Sequence, residues 1–121
     1  MTSTITLRPG DIWNVELTLK QSDIIGYEQG NTRPCMVIGD YSHLNINIAT
    51  IIPLTSQKNA LRFPYTYLIK KDKNNGLKSE SIALIFQLRS LSYIRFQDKI
   101  GYVTRDNLTQ IKTLITNYLN L

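Results

Sequence analysis

The chain has 121 residues, 42% of them hydrophobic, and its fourteen Lys and Arg outnumber nine Asp and Glu to give a net charge of +5. This length supports one domain, residues 1–121, with a single modest core, and the apolar content excludes an intrinsically disordered chain. The basic surplus favours a polyanionic partner, either nucleic acid or an acidic protein segment.

The single cysteine, Cys35, excludes an internal disulfide framework. With Met36, Val37 and Ile38 following it, Cys35 reads as a buried structural thiol rather than a nucleophile. The first residues carry no basic n-region and no apolar h-region, so no signal peptide is expected. No apolar run approaches the ~20 residues that span a bilayer. The expectation is a cytoplasmic protein.

Taken in order, residues 11–17 alternate, with Trp13, Val15 and Leu17 opposed to Ile12, Asn14 and Glu16. This is the pattern of a half-buried strand, entered through the turn Arg8-Pro9-Gly10. Residues 20–32 lack periodicity and read as a long loop, a type that is usually functional or disordered. Residues 34–38 form a continuous apolar run, hence a strand buried on both faces. Residues 39–45 are a turn, and the isoleucine-rich 46–54 is the next strand. Pro53 marks that strand as an edge or as reaching its end. Residues 58–64 are a basic, polar loop.

Residues 65–70 alternate again, and 71–76 is a charged turn ending in Asn74-Asn75-Gly76. Residues 81–87 read as a strand with Ile82, Leu84 and Phe86 on one face. Residues 91–96 read as a short helical turn, and 99–103 as a strand. The period then changes. Leu108, Ile111, Leu114, Ile115, Tyr118 and Leu119 follow helical spacing, with Thr104 as N-cap and Asp106 in the first turn. Short antiparallel strands closed by one helix predict a mainly β fold, a small curled sheet or partial barrel.

The strands at 34–38 and 46–54 are joined by a short turn and therefore form an antiparallel hairpin. With the turn centred near His43 or Leu44, opposed residues have numbers totalling 86 to 88. Arg33 then faces a position between Pro53 and Thr55, beside Thr55 and Ser56. A guanidinium next to hydroxyls suits a phosphate, because its planar fork matches two phosphate oxygens and the hydroxyls donate to the others. Arg89, after the strand 81–87, either extends this positive surface or is a solvated strand-end charge.

The chain resembles the MazF/PemK (Kid) toxins of bacterial type II toxin–antitoxin systems. The resemblance rests on six pieces in order: Arg8-Pro9-Gly10-Asp11-Ile12-Trp13; Gly26-Tyr27-Glu28-Gln29 with Arg33-Pro34; Ile52-Pro53-Leu54-Thr55-Ser56; Gly76-Leu77-Lys78; Gln87-Leu88-Arg89-Ser90; and Lys99-Ile100-Gly101. It implies an SH3-like barrel, a homodimer, and metal-independent cleavage of single-stranded RNA at short sequences. It also implies a cognate antitoxin whose disordered, often acidic tail occupies the RNA groove. The family's catalytic arginine falls on Arg33 and its catalytic threonine on Thr55, while Glu28 matches the acidic residue of the loop. Ser56, Gln87 and Arg89 match positions of substrate contact or site support. Gln57, next in the same polar cluster, and Tyr27 complete the candidate substrate-binding set. One departure stands out: where relatives commonly have Asp before Gln-x-Arg, this chain has Phe86.

The chemistry expected is attack of a ribose 2′-OH on the adjacent phosphorus, giving a cyclic phosphate and a 5′-hydroxyl end. Arg33 would stabilise the growing charge and Thr55 would orient the phosphate. Arginine stays protonated and threonine is a poor base, so Glu28 is the carboxylate nominated as general base. His43, the sole histidine, lies in the predicted turn at the far end of the strands, so a two-histidine mechanism is unavailable. The acidic residues are scattered without ligand spacing, so no metal or cofactor is expected. Among the tyrosines, Tyr27 is best placed to stack on an unpaired base. Two rival functions share the fold class. One is a CcdB-like gyrase poison, disfavoured because the chain's only tryptophan is Trp13 and none lies in its C-terminal segment. The other is a non-catalytic RNA- or protein-binding module, kept open by Phe86.

Overall fold

The computed structural model describes residues 5–17 and 32–121. The expected alternation at the start forms strand β1, Asp11–Glu16. Trp13, Val15 and Leu17 enter one apolar cluster, as their spacing requires. Ile12 points the other way and is also fully buried, in a second cluster with Met36 and Ile52. β1 is thus buried on both faces at its start rather than half-buried. The cause is that an apolar cluster packs on each face of the sheet there; within the sheet β1 lies between β2 (Thr32–Asp40) and β7 (Phe96–Tyr102).

β2 forms the predicted hairpin with β3, Ile48–Thr55. The facing pairs Cys35–Pro53, Met36–Ile52 and Val37–Ile51 have numbers totalling 88. A bulge between Val37 and Gly39 shifts the register by one before the turn. The turn is a short 3-10 segment, Ser42–Leu44, closed by Asn45 in the left-handed conformation at φ 60°. His43 lies exposed on it, at the opposite end of the hairpin from Arg33.

Pro53 does stand near the end of β3, two residues before Thr55, but it does not mark an edge. β3 is flanked by β2 on one side and by two strands on the other: β6 (Arg89–Ser92) along Ile48–Ile51, and β5 (Ser81–Leu84) at Leu54–Thr55. Ile52 and Pro53 occupy the gap between those two partners. The missing proline N–H therefore takes nothing from a ladder on that side.

The strand expected over 81–87 ends early for the same reason. β5 stops at Leu84, where the chain leaves β3 through a 3-10 turn, Ile85–Gln87, and returns to it as β6. The helical turn expected over 91–96 shrinks to Tyr93–Arg95, because Leu91 and Ser92 are held by pairing with Ala49 and Ile48. The basic loop contains a 3-10 segment, Lys58–Arg62, and leads to β4, Thr66–Ile69, at the sheet edge. The Asn-Asn-Gly turn is realised around Asn75, fully buried, whose amide oxygen accepts from the N–H groups of Asp72 and Leu77. Gly76 has φ 70°, and a Cβ there would lie 2.0 Å from the Ile100 carbonyl oxygen.

Every ladder among the described residues is antiparallel, in the order β4-β5-β3-β2-β1-β7 with β6 also on β3. Helix α1, Arg105–Tyr118, begins at Thr104, whose hydroxyl accepts the Asn107 N–H at 3.0 Å. Its buried stripe, centred on Ile111, joins the second cluster. The result is a mainly β, SH3-like partial barrel. One face of the curled sheet carries α1. The other carries the Trp13 cluster and, towards β5, a smaller cluster of Ala60, Ile82 and Leu84 with Leu68 and Phe86 packed against it.

Candidate active site

The polar residues singled out in the sequence gather where those two clusters part. β2 delivers Arg33, exposed, at its second residue; β3 delivers Thr55 at its last. Continuing the 88 register two residues beyond the Cys35–Pro53 pair sets Arg33 opposite Thr55. Both line a cleft of about 360 Å³. The same cleft is lined by Gln57 and Gln87 and by the apolar residues Leu17, Ala60, Phe63, Leu84 and Phe86. Leu17 is fixed there by its carbonyl oxygen, which accepts a 2.7 Å bond from Arg95.

Thr55 is 9% exposed, and its hydroxyl oxygen accepts the Gln57 backbone N–H at 3.1 Å. That bond turns the chain sharply after β3 and fixes the oxygen. The hydroxyl hydrogen plays no part in it and can be donated to a ligand oxygen. Gln57 and Gln87 are exposed and offer amide donors and acceptors at the rim. Ser56 is exposed, follows the end of β3, and is not among the lining residues.

Arg89 also lies outside the lining, at the start of β6 opposite Ile51. The buried thiol of Cys35 is pushed up to about 12 by burial, against the opposing pull of Arg33 and Arg89. The Cys35 sulfur donates weakly to the Arg33 carbonyl oxygen at 3.5 Å, and a thiol so buried is a packing group, not a nucleophile. Glu28 and Tyr27 lie outside the described residues. Among the described residues, no three His, Cys, Asp or Glu side chains group closely enough to hold a metal ion.

Sequence reasoning missed Phe63. It stands between Arg62 and Pro64 with Leu61 and Tyr65 close by, so nothing in its local sequence set it apart from ordinary packing residues. Phe86 was noted as a departure, and its ring now proves to be cleft wall.

A family model for the PemK-like, MazF-like toxins of type II toxin–antitoxin systems matches residues 8–119. The chain belongs to this family. Among curated relatives, it is 27% identical over 116 residues to an endoribonuclease MazF of Staphylococcus saprophyticus, spanning 95% of this chain and 92% of that one. It is 26% identical over 106 residues to the endoribonuclease EndoA of Bacillus subtilis, spanning 87% of each. Solved structures agree on the fold. A MazF from Deinococcus radiodurans superposes with a TM-score of 0.72 at 19% identity, covering 98% of this chain and all of that one. A mycobacterial endoribonuclease in complex with its cognate antitoxin superposes with a TM-score of 0.68 at 16% identity, covering 97% of each. No described helix of this MazF-like chain is long and apolar enough to cross a membrane.

Proposed function

We propose that this MazF-like toxin is an endoribonuclease that cleaves single-stranded RNA without a metal, by attack of a ribose 2′-OH on the adjacent phosphorus. The observation that carries the reading is that Arg33 and Thr55 line one cleft on a chain of net charge +5. The substrate supplies its own nucleophile, so the protein needs to hold the phosphate, stabilise charge and move protons. The 2′ oxygen loses its proton and bonds to phosphorus, the bond from phosphorus to the 5′ oxygen breaks, and that oxygen takes a proton from water, so the products are a cyclic phosphate and a 5′-hydroxyl end.

In this reading Arg33 pairs with two phosphoryl oxygens and stabilises them as charge grows. Thr55 donates its hydroxyl hydrogen to the same group. Gln57, Gln87 and Ser56 contact the flanking nucleotides, and Arg89 raises the local positive potential. Glu28 takes the proton from the 2′-OH, and Tyr27 contacts a base. The whole of residues 1–121 serves as one toxin domain acting in the cytoplasm as a homodimer. A cognate antitoxin neutralises it by laying an acidic tail in the cleft.

The test is incubation of the purified protein with a long single-stranded RNA in excess EDTA, beside Arg33→Ala and Thr55→Ala. Cleavage at a recurring short sequence, lost in both variants, is expected. Intact RNA that is still bound would instead identify a binding module.

A further inference from the structure

The cleft is split by chemistry. Arg33, Thr55, Gln57 and Gln87 line it with polar groups, and Phe63 and Phe86 line it with aromatic rings. The ring centroids lie 5.6 Å apart with planes tilted by 55°. Phe63 is 42% exposed, so part of its ring is open to a ligand in the cleft.

The rings are held in place. The Arg62 guanidinium sits 4.3 Å over the Phe63 ring and bonds to the Asn59 carbonyl oxygen at 3.2 Å. Two residues on, Tyr65 has φ 59°, a strained conformation for a bulky side chain. It is fixed by the Ile85 N–H, which donates to its carbonyl at 3.0 Å, and by its ring packing 5.2 Å from that of Tyr118. Tyr118 in turn donates to the Phe86 carbonyl at 3.2 Å. Lys58 pairs with Glu80 at 2.8 Å and pins the start of the same loop to the approach to β5. Strain stored in a well-anchored loop beside a cleft is the mark of a surface built to present something.

We propose that the Phe63–Phe86 wall is a stacking surface for an RNA base adjacent to the phosphate held at Arg33 and Thr55. This rests on the reading of the cleft as an RNA-cleavage site. A nucleotide has the same split as the cleft, one anionic group and one flat apolar face. The volume suits one such unit. The guanidinium of Arg62 adds a second planar cation, and the amides of Gln57 and Gln87 can meet base edges. These features favour a nucleic acid base over an aliphatic peptide side chain, which needs neither stacked cation nor amides.

The experiment uses a single-stranded deoxyoligonucleotide of mixed sequence, which lacks the 2′-OH and so is not cleaved, and an abasic oligomer of equal length. Fluorescence anisotropy gives Kd for both with the full chain, Phe63→Ala, Phe63→Leu and Phe86→Ala. Wild type is expected to prefer the base-bearing oligomer. Phe63→Ala should weaken that binding by about 10- to 100-fold and leave the abasic Kd unchanged, measured at a temperature where urea unfolding shows the variant to be folded, since it also loses the contacts to Phe86 and Arg62. Phe63→Leu should recover only part of the loss. If both oligomers bind Phe63→Ala as they bind wild type while RNA is still cleaved, the stacking proposal alone is overturned. If wild type neither cleaves RNA nor binds either oligomer, the underlying nuclease reading fails as well. Loss of binding to an acidic antitoxin peptide, with oligomer binding intact, would assign the wall to a protein partner and refute the proposal.

Discussion

Replacing Thr55 by Val or Ser separates its chemical role from its structural one. Val keeps the shape of Thr and fills the same 9%-exposed site, so it opens no cavity. It removes the acceptor of the Gln57 N–H at 3.1 Å. Gln57 is exposed, so water can satisfy that N–H, and the cost should be about 0.5–1 kcal/mol, or roughly 2–4 °C in Tm. The loss in cleavage should be far larger. A hydroxyl that donates to a phosphoryl oxygen gaining charge is worth on the order of 100-fold in rate, about 2.7 kcal/mol. Ser reverses the pattern. It keeps the hydroxyl but drops a buried methyl, costing about 1 kcal/mol of stability, with cleavage within about tenfold of wild type. Initial rates on a single-stranded RNA in EDTA, beside urea unfolding of each variant, give both numbers. Val cleaving within about fivefold of wild type, or Ser as slow as Val, would refute the assignment of a transition-state donor to Thr55.

The Cys35 thiol is pushed up to about 12 from 9.0 by burial. A group whose folded-state value is raised stabilises fully below pH 9, and that stability is lost as pH climbs towards 12. Wild-type unfolding free energy should therefore fall faster than that of Cys35→Val over pH 9–11, by about 1 kcal/mol per pH unit, and parallel slopes in urea titrations would show the burial is not felt. Gly76→Ala should lower Tm by roughly 10 °C, about 3 kcal/mol, because φ 70° and a Cβ 2.0 Å from the Ile100 oxygen strain the turn; an unchanged Tm would mean the turn relaxes freely. Arg89→Ala should weaken oligomer binding uniformly across sequences and flatten the salt dependence of Kd by about 0.7 in log–log slope, while saturating RNA restores cleavage; a selective loss for some sequences would make Arg89 a base-reading residue.

What was legible in the sequence was local. Alternation at Trp13, Val15 and Leu17, the Asn75-Gly76 turn and the Thr104 cap each depend on a few neighbouring residues, and each appears as expected. Arg33 and Thr55 were also brought together correctly, since a hairpin register needs only a turn position. The misreadings share a non-local cause. β3 exchanges β6 for β5 midway along its length, and no window around Pro53 or Phe86 records that. The exchange explains a proline inside a central strand, the early end of β5, and the shortened helical turn after β6. Phe63 reaches the cleft because the 58–65 loop folds across β5, a non-local contact that the sequence of the loop does not announce.

The register at the site is set by the core rather than by the turn. Cys35, Met36 and Val37 face Pro53, Ile52 and Ile51, and all but the proline number among the apolar residues with no exposed surface. Alternate members feed opposite clusters: Cys35, Val37 and Ile51 into one, Met36 and Ile52 into the other. A slip of one residue would exchange the two sets and misfit both clusters at once. The bulge at Val37–Gly39 lies on the turn side of these pairs, where the register already changes by one. A lengthened or shortened turn near His43 can be absorbed at that bulge without moving Arg33 relative to Thr55. The polar pair is therefore held by side chains sealed from solvent on both faces of the sheet, and the end of the hairpin that carries the only histidine can vary without disturbing it.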